Sequence, residues 1–169
     1  ALFFMLVMTV YCFTQLAEHK INSDRMRKAQ SVYTSLNLGD SNGEDYRLIK
    51  STLKQANLDK NDEGEYYATA EYGRNASQYE TRKDIAQKAT DAGFKRITGN
   101  GDDALTPNDT YENADGDLLR VTIRGKSIQN SLIYGTFEST SPDGSIDLSA
   151  HKNETPSYIH TQLTLKAKK

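Results

Sequence analysis

Hydrophobic and polar positions are distributed very unevenly along the chain. Residues 1–17, ALFFMLVMTVYCFTQLA, carry no charge, and Glu18 is the first. Seventeen residues in a helix span about 25 Å at 1.5 Å per residue, the lower edge of what crosses a bilayer. The stretch lacks the basic lead-in and small-residue cleavage site of a secretory signal, so it reads as a retained helix. The apolar pattern then thins without stopping. Leu16, Ile21, Ala29, Val32, Tyr33 and Leu36 recur at spacings near three, four and seven, with Glu18, Lys20, Asp24, Arg27 and Lys28 between them. No Pro or Gly interrupts before Gly39, which is placed to stop the helix. The pattern predicts one helix over 1–38, apolar on all sides and then amphipathic, whose second half packs on a globular partner while its first half projects.

The remainder, 39–169, reads as one head. Ser41-Asn42-Gly43-Glu44 has the form of a capping box, with Tyr46, Ile49, Leu53 and Ala56 following on one helical face. Ser77-Gln78-Tyr79-Glu80 has the same form, followed by Ile85, Ala89 and Ala92 and by a Gly93-Phe94 stop. Tyr66–Ala70 reads as a short strand. After residue 117 the period becomes two: Leu119, Val121 and Ile123; then Ile133, Gly135 and Phe137; then Ile146, Leu148 and Ala150; then Ile159, Thr161, Leu163 and Leu165. Ser141-Pro142-Asp143-Gly144 supplies a turn. The predicted class is α+β: a long N-terminal helix on a C-terminal antiparallel sheet of about four strands, with two extra helices.

Composition narrows the chemistry. The chain has 169 residues, 21 Lys+Arg and 23 Asp+Glu, for a formal charge of −2. That balance excludes the broad electropositive surface on which nucleic-acid affinity depends. One cysteine, Cys12, excludes an internal disulfide and a Cys-based zinc site. Gly39-Asp40-Ser41-Asn42-Gly43 matches the spacing of a nucleophile elbow, but a helix precedes it where the motif needs a strand. His19, His151 and His160 are not placed as its base, and no enzyme activity is expected. Gly99–Ala104 resembles a dinucleotide loop only in its glycines, since Asp102 and Asp103 would repel pyrophosphate. The acidic stretch 99–119 contains the one cation candidate of interest, Asn113, Asp115 and Asp117 around Gly116, whose oxygens suit calcium. Asp59–Gly64 opens like a second calcium loop but has Ala70 at its twelfth position. Asn75-Ala76-Ser77, Asn108-Asp109-Thr110 and Asn153-Glu154-Thr155 are N-glycosylation sequons.

An apolar helix continuing into an amphipathic half that packs on antiparallel strands resembles the type IV pilin superfamily, which includes pilins, pseudopilins and TadE-like minor pilins. The resemblance rests on residues 1–38 and on the helix-then-strands order. It implies a structural subunit of an extracellular pilus-like filament, drawn from a membrane-inserted precursor by an assembly platform and partnered by copies of itself. The implied filament-core contacts are Leu2, Phe3, Phe4, Leu6, Val7, Val10 and Phe13. Ala1 and Met5 stand where many bacterial pilins carry Phe and Glu, so the family's pairing of that Glu with a neighbour's N-terminal amine does not carry over. The alternative reading is a single-pass membrane-anchored ectodomain, sensing or adhesive, that does not polymerise. A membrane-tethered hydrolase using Ser41 is the third.

Overall fold

The structure is a computed structural model that describes residues 2–38, 46–55, 58–61, 65–99, 108–125 and 153–166. Helix α1 runs from Leu2 to Leu36, 35 residues or about 52 Å at 1.5 Å per residue. It ends earlier than Gly39 because Asn37 turns left-handed at φ 48 and donates its N–H to the carbonyl of Thr34. Asn is the residue that tolerates this conformation best after Gly. Leu38 then folds back into the core.

Strands β1 (Tyr46–Ser51), β2 (Asp59–Lys60) and β3 (Tyr66–Arg74) come next. Helix α2 (Gln78–Asp91) leads into β4 (Phe94–Gly99), β5 (Asn108–Asn113), β6 (Leu118–Gly125) and β7 (Pro156–Leu165). All seven strands form one antiparallel sheet in the order β1-β3-β7-β6-β5-β4, with β2 paired to β3. Strand β7, last of these in the chain, therefore lies between β3 and β6. Its inward residues Ile159, Thr161 and Leu163 face Tyr72, Ala70 and Ala68 on one side and Ile123, Val121 and Leu119 on the other. Ala29, Tyr33 and Leu36 of α1 and Ile85 and Ala89 of α2 join the same buried cluster, so both helices cover one face of the sheet.

The expected fold class is corrected by this architecture. The sheet has seven strands among the described residues rather than about four, and a single helix accompanies α1. Where its side chains are described, from Tyr11 to Leu36, α1 mixes apolar with polar and charged residues, so it is not a long apolar helix there. The helix expected after residue 44 is β1 followed by a 3-10 turn at Thr52–Gln55. Tyr46 and Ile49, three residues apart, fall on opposite faces of a strand, so Tyr46 is buried and Ile49 exposed, and the register slip between Leu48 and Lys50 then brings Ser51 inward. Strand β5 lies within the acidic stretch 99–119, and β4, just before it, was not expected. The residue sets expected as strands at 133–137 and 146–150, the turn at 141–144, Gly39 and the Ser41–Glu44 box lie outside the described residues.

Other local readings hold. Ser77 caps α2 by accepting from the Glu80 N–H at 3.1 Å, and the Glu80 carboxylate accepts from the Ser77 N–H at 3.2 Å. Those bonds from the Ser77 backbone and hydroxyl hold the Glu80 carboxyl below the usual carboxylate range. At the other end Gly93, at φ +83, makes the turn that buries Phe94.

One side chain sets where α1 lies. Tyr33 is buried, and its hydroxyl is 3.3 Å from the carbonyls of Ala68 and Thr161 and 3.1 Å from Thr161 Oγ1. Thr161 donates its own proton to the Ala70 carbonyl at 3.1 Å, which leaves its oxygen free to accept from Tyr33. The helix is thus fastened to the seam between β3 and β7. Tyr33→Phe keeps the ring and removes this bond, with an expected loss of about 1–2 kcal/mol in urea unfolding at unchanged slope. Burial also pushes the phenols of Tyr33 and Tyr72 well up and that of Tyr111 up to about 12. Unfolded tyrosines ionise near pH 10. The folded state binds their protons more tightly, so stability is constant below that pH and falls as pH rises from about 10 toward 12, which alkaline unfolding monitored at 295 nm checks.

Candidate functional site

Two features of α1 stand out together. Residues 11–24 are all exposed, whereas Ala29, Tyr33 and Leu36 are buried. The exposed part includes Tyr11 at 57%, Phe13 at 68%, Leu16 at 67% and Ile21 at 47% of full accessibility, four of the seven large apolar side chains that the described residues expose. Scattered exposed apolar residues need no explanation, but these four are gathered on one projecting helix. Cys12 lies exposed in the same stretch.

The direction of the projection follows from what holds residues 25–28. The Arg25 guanidinium sits 4.1 Å from the Tyr66 ring centroid, and Lys60 approaches that ring at 5.6 Å. Lys28 Nζ lies 2.6 Å from Asp117 Oδ2 and 2.9 Å from Asp115 Oδ2. Tyr66 opens β3, and Asp117 is in the turn before β6. Asp117 also accepts from the backbone N–H of Lys166, just past the end of β7, at 3.0 Å. These groups share one end of the sheet, so α1 leaves the head there. Asp24 and Arg27 pair with each other on the exposed side. A groove of about 430 Å³ runs beside the helix at this end, lined among others by His19, Asn22, Met26, Leu58 and Tyr66.

The calcium candidates are part of this junction. Asn113 Oδ1 accepts from the N–H groups of Asp115 at 3.0 Å and Asp117 at 2.9 Å, and Asn113 Nδ2 donates to Asp117 Oδ2 at 2.9 Å. Gly116, at φ +81, completes the turn, and a Cβ there would meet Lys166 Cδ at 2.7 Å. These groups close the β5–β6 hairpin, and Asp115 and Asp117 also pair with Lys28. Burial alone would lower the Lys28 pKa, but hydrogen bonds and charge from Asp117 and Asp115 outweigh it and raise it. Among the described residues no group of three or more acidic, His or Cys side chains is arranged for a metal. At the second loop Asn61 accepts from the Glu65 N–H at 2.8 Å, while residues 62–64 lie outside the described residues.

A second charged seam joins α2 to β5. Asp109, only 4% exposed, receives Arg82 at 2.7 and 2.8 Å through two guanidinium nitrogens and Arg96 at 2.6 Å. Sequence reasoning missed this cluster because Asp109 sits in an acidic stretch that reads as solvated. The alternation of Asp109 and Tyr111 was the available signal. On the opposite face of the sheet Tyr158 and His160 stack at 5.7 Å. Burial lowers the His160 pKa, with Glu71 opposing and Arg124 reinforcing the shift.

The remaining sequence candidates are dispersed. Phe13 is on the exposed surface, whereas the side chains of Leu2, Phe3, Phe4, Leu6, Val7 and Val10 lie outside the described residues, their backbone helical. Ser41, His151 and residues 100–104 are also outside. Asn75, Asn108 and Asn153 are each exposed. Among the described residues no helix is long and apolar enough to cross a membrane. No protein-family model, curated protein or solved structure matches the chain.

Asp117 is fully buried, and removing its charge leaves Lys28 with only the exposed Asp115. Asp117→Asn is expected to cost about 2 kcal/mol, less than a fully buried pair because Lys28 is partly in water, measured as a fall in the urea midpoint.

Proposed function

We propose that the chain is a structural subunit of an extracellular pilus-like filament that polymerises through the N-terminal part of α1. The observation that carries this reading is the division of one continuous helix: residues 25–36 are fastened to the sheet, and the apolar side chains of 11–21 are left in water. Moving them, and the uncharged sequence before them, into a shared helical core removes apolar area from water at roughly 25 cal/mol per Å² in every subunit. The partners are copies of the same chain, supplied from a membrane by an assembly platform. Lipid is the other environment in which such a segment is at rest, which suits a membrane-inserted precursor. The head supplies the outer surface, and no catalytic role is assigned to it.

Phe13→Glu places a charge in the proposed core while leaving the head's packing untouched, because Phe13 is 68% exposed and stands outside the buried cluster. Material sheared from the native source is expected to contain thin fibres decorated along their length by antibody to this chain. The variant should yield no decorated fibres, with the thermal unfolding of the head unchanged. Label confined to membrane vesicles, in wild type, would instead establish the anchored ectodomain.

A further inference from the structure

The three sequons are far apart in sequence, at residues 75, 108 and 153, but the topology gathers them. Asn75 directly follows β3, Asn153 lies three residues before β7, and Asn108 opens β5. The register pairs Tyr72 with Ile159, Gly125 with Pro156 and Asn108 with Thr122, so all three asparagines belong to the same end of the sheet. The N–H of Gln78, three residues after Asn75, donates to the carbonyl of Glu154, one residue after Asn153, at 2.7 Å. Strands β3 and β5 are three places apart, about 14 Å across the sheet. This end is opposite the one from which α1 projects, since Tyr66, Asp117 and Lys166 hold residues 25–28 at the other end. All three acceptor side chains are exposed.

We infer that Asn75, Asn108 and Asn153 carry N-linked glycans and form a sugar-bearing rim on the end of the head farthest from the projecting helix. The donor class is an oligosaccharide on a lipid phosphate or pyrophosphate. The asparagine Nδ2 bonds to the anomeric carbon, the bond from that carbon to phosphate oxygen breaks, the lipid phosphate or pyrophosphate departs whole, and the amide proton passes to a base of the transferase. No electron transfer is involved. In the folded chain the Ser77 hydroxyl accepts from the Glu80 N–H and donates to Glu80 Oε2 at 3.0 Å, so the hydroxyl a transferase reads at that sequon is already in use. Modification therefore precedes closure of α2, on the extended chain during export, and the fold then leaves each glycan outside. The inference rests on the extracellular placement proposed above.

Peptide mass spectrometry of the chain recovered from its native source is the test. Each of the three sequon peptides is expected to carry a common sugar mass. Asn75→Gln, Asn108→Gln and Asn153→Gln should each remove one increment from the intact mass. Thr110→Val should remove the increment at Asn108, and Thr110→Ser should restore it, which separates loss of the sequon from loss of fold. Unmodified peptides on a chain recovered in fibres would overturn the glycan assignment and leave the filament standing. Sugar-bearing peptides on a chain that never enters fibres would support the rim and defeat the filament.

Discussion

The docking of residues 25–36 of α1 on the sheet is the constraint from which the rest follows. Three unlike contacts act along less than three and a half helical turns: Arg25 over an aromatic ring, Lys28 between two carboxylates, and Tyr33 at the seam of β3 and β7. Each is directional, and together they fix both the rotation and the axial position of the helix. A purely apolar interface would allow a helix to slide by a turn at small cost, because packing is roughly degenerate in that direction. With register fixed at one end, the position of every residue in the projecting half is fixed as well. A surface built on that half is thus presented in one orientation to whatever meets it.

The same economy recurs elsewhere in the head. In a chain with mean hydropathy −0.72, apolar side chains alone fill the centre of the sheet and little beyond it. The seams between elements are closed by buried charges that come with partners. Asp109 joins α2 and β4 to β5 through two arginines, and Asp117 joins α1, the β5–β6 hairpin and the residue after β7. A charge without a partner in these places would be strongly destabilising, whereas a paired one holds specific geometry. Tyr46 closes a third seam, donating to Asp84 at 2.7 Å and accepting from Arg74 at 3.0 Å.

Legibility in the sequence tracked how local the cause of each element is. Helix α2 was readable from Ser77, Glu80, Gly93 and Phe94, because its cap and its stop are made by neighbours in the chain. Strands β6 and β7 were readable because Leu119–Ile123 and Ile159–Leu163 alternate into one buried face. Strand β1 was not: its apolar residues stand at helical spacing although they face opposite ways, its bulge breaks the alternation, and what decides it is pairing with β3, remote information. Strand β4 buries only Phe94, so it has almost no pattern to read. Strand β5 hides its inward Asp109 among acidic residues, and only Arg82 and Arg96 make that inward placement tolerable. The cation candidates had a related limit. The spacing of Asn113, Asp115 and Asp117 signals converging oxygens, and nothing in it announces Lys28, some 85 residues earlier, beside Asp115 and Asp117.

The central place of β7 has a consequence for the order in which the molecule is made. Until Pro156–Leu165 has been synthesised, β3 and β6 each present an unpaired edge, and the hydroxyl of Tyr33 lacks Thr161. The head is thus a late event in the life of the chain, gated by long-range pairing that is slow to form. Helix α1 needs no remote partner for its backbone bonds and emerges before the strands. The chain therefore passes through an interval in which the projecting segment exists and its anchor does not. Anything that meets the segment in that interval meets it before the head can orient it.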